Sequence, residues 1–228
     1  MKKTLFLVVI IFAGLFSFSQ KELARKLIDT LASDEFYGRG YVNNGDKIAA
    51  DYIAKKFKEY GALPVNGDSY FQNYSFPVNT FPGKVEVTLN DTLLKTGEDF
   101  IVAPNSGSAK GKYRLVKVNL DNYKKEIARE ALSSDIWPTA YVIDLPKPAG
   151  REDYFKQREV KNSIAAVAPL FVINDNKFTW SVAQKALKFP VIEIKNAFFK
   201  NATTVILNIE NKMVNNHKTQ NVLGYIPA

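Results

Sequence analysis

Apolar residues recur every fourth position at Leu23, Leu27 and Leu31, with Ala24 and Ile28 beside them, and this spacing predicts an amphipathic helix over Gln20 to Phe36. A second helix is marked more sharply. Asn44, Gly45 and Asp46 form a start signal in which Asp46 can cap the first free amides; Ile48, Tyr52, Ile53, Phe57 and Tyr60 then share one apolar face, and Gly61 ends it.

After Pro64 the period shortens to two. Tyr70, Gln72, Tyr74 and Phe76 fall on one side of a predicted strand that Pro77 and Pro82 interrupt. Val85, Val87 and Leu89 alternate up to Asn90-Asp91, a pair that tolerates left-handed backbone and predicts a hairpin returning through Thr92 to Leu94.

Beyond Gly111, short strands alternate with helical stretches. Strands are expected at Tyr113 to Val118, Ala140 to Leu145, Leu170 to Ile173, Thr179 to Val182, Val191 to Ile194 and Thr204 to Ile209. Helices are expected around Lys124 to Leu132 and from Arg151 to Ala168. This mixing implies a mixed α/β fold with a small domain on a short mixed sheet. The polar run Asn211 to Thr219 reads as a linker, and Val222 to Ile226 as one more strand.

The apolar run Leu5 to Phe16 behind Lys2 and Lys3 is too short to span a bilayer and fits the core of a signal peptide, with Ser17 and Ser19 offering cleavage before Gln20. A secreted or periplasmic product without stable membrane insertion is the expectation. Cysteine is absent, which excludes disulfides, thiol nucleophiles and a lipid-anchoring cysteine. The formal charge falls from +8 to +6 once Lys2 and Lys3 leave, and the remaining lysines are scattered, as at Lys55, Lys56 and Lys58. Such scatter makes a solvated face rather than a basic stripe, and no nucleic-acid partner is expected.

Catalytic constellations are missing. The lone histidine, His217, sits in the polar run beside Lys218 and reads as a solvated surface residue, whereas a zinc site needs three or four converging ligands. No Gly-x-Ser-x-Gly elbow supplies a serine nucleophile. The neighbouring carboxylates Asp34 with Glu35 and Glu152 with Asp153 read as helix-end charge, because adjacent side chains diverge rather than flank a substrate. Gly38-Arg39-Gly40 lacks the third glycine of a dinucleotide fingerprint and reads as a turn with a structural arginine. The sequons at Asn73, Asn90 and Asn201 match what an asparagine-rich chain produces by chance. No catalytic, cofactor-binding or metal-ligating residue is therefore assigned.

One resemblance adds to this reading. Leu31-Ala-Ser-Asp-Glu-Phe-Tyr-Gly-Arg-Gly, followed by Gly45-Asp, Ala49-Ala-Asp-Tyr-Ile-Ala-Lys-Lys-Phe, Tyr60-Gly and Tyr70-Phe-Gln, resembles the opening of secreted zinc aminopeptidases of metallopeptidase family 28. Asn221-Val-Leu-Gly-Tyr-Ile-Pro resembles the strand that in that family leads to the first zinc-binding His-x-Asp. Ala140 to Ile209, with Phe189-Pro-Val-Ile-Glu-Ile inside it, looks like a divergent protease-associated domain.

With the leader read over 1–19, the resemblance implies the front of a peptidase domain over 20–83, a protease-associated-like domain over 84–211, and a linker with a returning strand over 212–228. It also implies that Arg39 braces the turn before the second helix. The family's zinc ligands and catalytic glutamate have no counterpart among these residues, so the chain alone is expected to be inactive and free of zinc, a truncated or split portion of a longer peptidase. Two functions stay open. The chain is either the non-catalytic front of an exported zinc aminopeptidase acting on peptide or protein substrates, or a stand-alone exported binding module.

Overall fold

The computed structural model describes residues 20–133, 137–199 and 202–227. The expected leader over 1–19 and the sequon at Asn201 lie outside the described residues. The protein is mixed α/β, with one eight-stranded mixed sheet, two two-stranded sheets and several helices. It forms two compact units, one from the residues up to Ser75 together with those from Lys218 on, the other from Phe76–His217.

The first unit begins with helix α1 over residues 20–31. The helix stops short of Phe36: Ser33 is extended at ψ 158°, and Asp34–Arg39 winds into a 3-10 turn in which Tyr37 and Gly38 take positive φ. The expected apolar stripe forms, yet Leu23 and Ile28 remain 44% and 64% exposed among the described residues.

Helix α2 spans Gly45–Glu59, and Gly61 follows at φ 77°. Its buried face is alanine, at Ala49, Ala50 and Ala54, rather than the aromatic stripe; Ile48 and Tyr60 are exposed. Small residues let the helix approach its neighbours closely. Gly45 shows why: a Cβ there would come within 2.5 Å of the Phe36 carbonyl oxygen. The N-cap position falls to Asn44, which makes no side-chain cap hydrogen bond, and the Asp46 carboxylate two residues on accepts a hydrogen bond from Thr219 Oγ1 at 2.7 Å. Strand β1 (Leu63–Pro64) pairs antiparallel with β12 (Gly224–Tyr225), so residues 160 positions apart close this unit.

Strands β2 (Phe71–Thr80) and β11 (Lys212–Val222) pair with each other, and each begins in one unit and ends in the other. Two sequence expectations fail here. Pro77 does not interrupt β2, because on a two-stranded ribbon an outward-facing position needs no amide. The supposed linker Asn211 to Thr219 is mostly strand, since a ribbon with both faces near water needs no apolar alternation.

The second unit holds β3 (Val85–Leu89), β4 (Thr92–Leu93), β5 (Phe100–Val102), β6 (Ala109–Val118), β7 (Thr139–Asp144), β8 (Leu170–Ile173), β9 (Val191–Ile194) and β10 (Thr204–Ile209). They line up as β4-β3-β10-β6-β7-β8-β9-β5. Strands β6 to β9 run parallel in chain order, and β10, β3 and β5 pair antiparallel at the flanks. Helices α3 (Tyr123–Glu130) and α4 (Arg151–Ala165) are the first two crossovers. Period-two alternation serves two cores: Ala140, Val142 and Phe171 point to one, Tyr141, Ile143 and Leu170 to the other with Val160 and Ile164 of α4. The first core runs along one face of the sheet from Leu89 of β3 to Phe100 of the edge strand β5.

The hairpin turn behaves as expected, with Asn90 at φ 48° and Asp91 at φ 62°. Helix α4 ends three residues before the expected Ala168, in a turn ahead of Pro169, which disfavours helical backbone at the residue preceding it. Thr179 to Val182 is not a strand. The segment is pinned by side chain and backbone instead: Trp180 Nε1 donates to the Val102 carbonyl at 2.8 Å, and Asn79 N–H donates to that of Ala183 at 2.8 Å.

Candidate functional site

Because β7, β8 and β9 are parallel, their carboxyl ends and the loops after them gather at one end of the sheet, the position where open parallel sheets form ligand sites. A crevice of about 390 Å³ opens there. Asp144 closes β7, Asn174 and Asp175 follow β8, and Glu193 lies within β9. Helix α4 adds Tyr154, Gln157 and Lys161, which at spacings of three and seven share one helix face.

Several of these groups are fixed by one another. Asn174 Nδ2 donates to Glu193 Oε2 at 2.8 Å while its oxygen accepts the Asn176 amide at 3.0 Å, and Asp175 Oδ1 accepts the Asn196 amide at 2.8 Å. Gln157 is only 5% exposed; its Nε2 donates to the Pro146 carbonyl at 2.9 Å, which orients its carbonyl oxygen. The arrangement holds polar groups of both signs around an open space.

At the opposite ends of β6 and β7, Glu130 of α3 is gripped by Arg114 and Thr139 and also meets Arg129. Burial disfavours its ionised form, but the hydrogen bonds from Arg114 and Thr139 and the charge of Arg114 outweigh it, holding the carboxyl below the usual glutamate range. Burial likewise pushes the nearby Tyr141 hydroxyl up. Each partner in this cluster is already used by another, so it anchors α3 to the sheet. Nothing in the hydropathy pattern marks it: the partners come from three separate elements.

The residues weighed in the sequence do not converge. Asp34 and Glu35 are exposed in the first turn of the 3-10 segment. Glu152 and Asp153 begin α4, where Asp153 Oδ2 accepts the Ala149 amide at 3.1 Å. Asn73 lies exposed on β2 and Asn90 in the hairpin turn. Arg39, at φ 57°, donates through Nη1 to the Leu31 carbonyl at 2.5 Å and so ties the turn to the end of α1.

His217 departs from the expected solvated linker residue. It sits half-buried on β11, its ring edge-on to Phe76 at 6.1 Å. Zinc, which the family resemblance implies for a complete enzyme, finds no fitting donors: among the described residues no group of three or more His, Asp or Glu could hold an ion. Among those same residues no helix is long and apolar enough to cross a membrane.

Comparison with known proteins adds little. No family model matches the sequence, and no curated protein matches it. Among solved structures, an aminopeptidase from Aneurinibacillus sp. strain AM-1 aligns over 79% of this chain with 14% identity and a TM-score of 0.43. That score is too low to assign a fold or an activity, and the chain spans 42% of that structure's length.

Proposed function

We propose that the chain is the non-catalytic front of an exported zinc-dependent aminopeptidase, and that its second unit recruits peptide toward catalytic groups that these residues do not include. The motifs at Leu31 to Gly40 and Asn221 to Tyr225 carry the reading. They are distant in sequence, yet both belong to the first unit, whose parts are joined by the Thr219 to Asp46 hydrogen bond and the β1–β12 pair. A front segment and a returning strand assembled in one unit, with a second unit inserted between them, is the arrangement such a peptidase would use. The crevice at the carboxyl ends of β7 to β9 supplies the recruiting surface.

A second reading, a stand-alone exported peptide-binding module, draws support from the second unit, whose two cores are built from residues between Phe81 and Ile209. Zinc content and hydrolysis of aminoacyl-p-nitroanilides, measured on this chain and on the product of its native gene with any coding sequence that follows, separate the two. The peptidase reading expects neither property here and both in a longer product. Stoichiometric zinc with turnover in the 228 residues alone would defeat it, and a native product that neither binds zinc nor hydrolyses leaves the binding module.

A further inference from the structure

We propose that Asn66 is a site of spontaneous covalent modification, losing ammonia to become isoaspartate, while Asn44, which stands in the same local sequence, is protected from that reaction by the fold.

Asparagine followed by glycine occurs twice, at Asn44-Gly45 and Asn66-Gly67, and in both places the next residue is aspartate. The reaction is intramolecular. The glycine amide nitrogen gives up its proton and attacks the side-chain carbonyl carbon of the asparagine; a C–N bond closes a five-membered succinimide, and the carboxamide nitrogen leaves as ammonia. Water then adds to one of the two ring carbonyls. Opening at one side leaves an aspartate, and opening at the other leaves isoaspartate, whose main chain has gained the side-chain methylene. Glycine favours the attack because no Cβ shields its nitrogen. Local sequence gives both sites this advantage, so the structure around each decides which one reacts.

At Asn44 the attack is obstructed. The Gly45 amide donates to the Val42 carbonyl. Asn44 is held at φ 57° and ψ 28°, so closing the ring requires turning the peptide that opens α2. That peptide has no room to turn: Gly45 is buried, an added Cβ there would meet the carbonyl oxygens of Phe36 and Gly40, and the Asp46 amide donates to the Gly40 carbonyl at 2.9 Å. Reaction at Asn44 therefore waits for the start of α2 to unfold locally.

At Asn66 these obstacles are missing. Asn66 and Ser69 exchange backbone hydrogen bonds at 3.0 and 3.4 Å, closing a tight turn between β1 and β2 in which Gly67 takes φ 58°. The Gly67 amide makes no hydrogen bond among the described residues. Both residues are exposed, and no atom stands within 4 Å of where a Gly67 Cβ would lie. The side chain is restrained by one bond, from Nδ2 to the Phe71 carbonyl at 3.2 Å. A single exposed hydrogen bond in a surface turn opens far more readily than a buried helix start. Conversion also changes the turn, because the product sets a carboxylate oxygen where a donor faced the Phe71 carbonyl.

The test is prolonged incubation of the native chain at mildly alkaline pH, followed by peptide mapping with mass spectrometry and enzymatic methyl labelling of isoaspartate. Isoaspartate should accumulate at position 66 about tenfold faster than at position 44, and the ratio should fall to about one in concentrated urea, where local protection is gone. Gly67→Ala, which shields the attacking nitrogen at the small backbone cost of a surface turn, should slow conversion at Asn66 about tenfold and leave Asn44 unaffected.

Equal rates at the two sites in the native chain, or a faster rate at Asn44, overturn the proposal. So does a native chain that stays intact at Asn66 while the urea-unfolded chain converts there, or a rate at Asn66 that Gly67→Ala leaves unchanged.

Discussion

The side-chain amides of Asn79 and Asn211, 132 positions apart, meet at 2.7 Å, with Asn211 Nδ2 donating to Asn79 Oδ1. Asn79 is 1% exposed, and its own amide nitrogen donates to the carbonyls of Pro104 and Ser106 at 2.9 and 2.8 Å. Asn211 in turn exchanges two hydrogen bonds with Ser108. This network ties the beginning and end of the second unit to the loop that precedes β6. A buried carboxamide is tolerable there because each of its polar atoms has a partner.

Replacing Asn79 with Ala should therefore cost about 2–4 kcal/mol, because two backbone carbonyls and the Asn211 amide lose their partner in a buried setting. Asn211→Ala should cost less, and the double variant less than the sum of the two. Urea unfolding of the four proteins measures this. Strictly additive losses would mean that the two amides do not support one another.

The sequence was most legible where burial enforces alternation. Ala140 to Leu145, Leu170 to Ile173 and Val191 to Ile194 are covered on both faces, and their apolar runs gave β7, β8 and β9 close to their observed bounds. Legibility failed where polar groups replace apolar ones as the ordering force. Strand β11 carries Asn215, Asn216, His217 and Lys218 in a row, and Phe100 to Val102 was too short a run to notice. The crevice was invisible for a related reason: Asp144, Gln157, Asn174 and Glu193 come from different elements, and only the parallel order of the strands gathers them.

The Glu130 cluster should make stability depend on acid. Its folded pKa lies below its unfolded value, so its contribution is complete above the ordinary glutamate pKa and is lost as pH falls through the depressed value. The urea midpoint difference between the wild type and Glu130→Gln should thus be largest near neutrality and shrink between about pH 5 and pH 3. A difference constant across that range would deny the carboxylate this role.

Gly107 occupies a position where a side chain has no room, because an added Cβ would press on the carbonyl oxygens of Leu187 and Lys188. The adjoining backbone is bonded in place, Leu187 N–H to the Asn105 carbonyl at 2.7 Å and Gly107 N–H to that of Phe189 at 3.3 Å. Gly107→Ala should destabilise the second unit by about 1–3 kcal/mol through this overpacking. Faster hydrogen exchange at Leu187 and Phe189 would locate the damage, and unchanged exchange there would refute the steric account.

Arg39 poses a conflict between backbone and side chain. Its φ of 57° favours glycine, whereas its guanidinium holds the Leu31 carbonyl. Arg39→Ala loses that hydrogen bond and keeps the unfavourable backbone, while Arg39→Gly loses the bond but relieves the backbone by about 1 kcal/mol. Glycine should therefore be the milder substitution, the reverse of the order expected inside a helix. Amide exchange at residues 36 to 46, within the turn and the start of α2, reports the ranking directly. If alanine protects those amides better than glycine does, the left-handed turn is not what constrains this position.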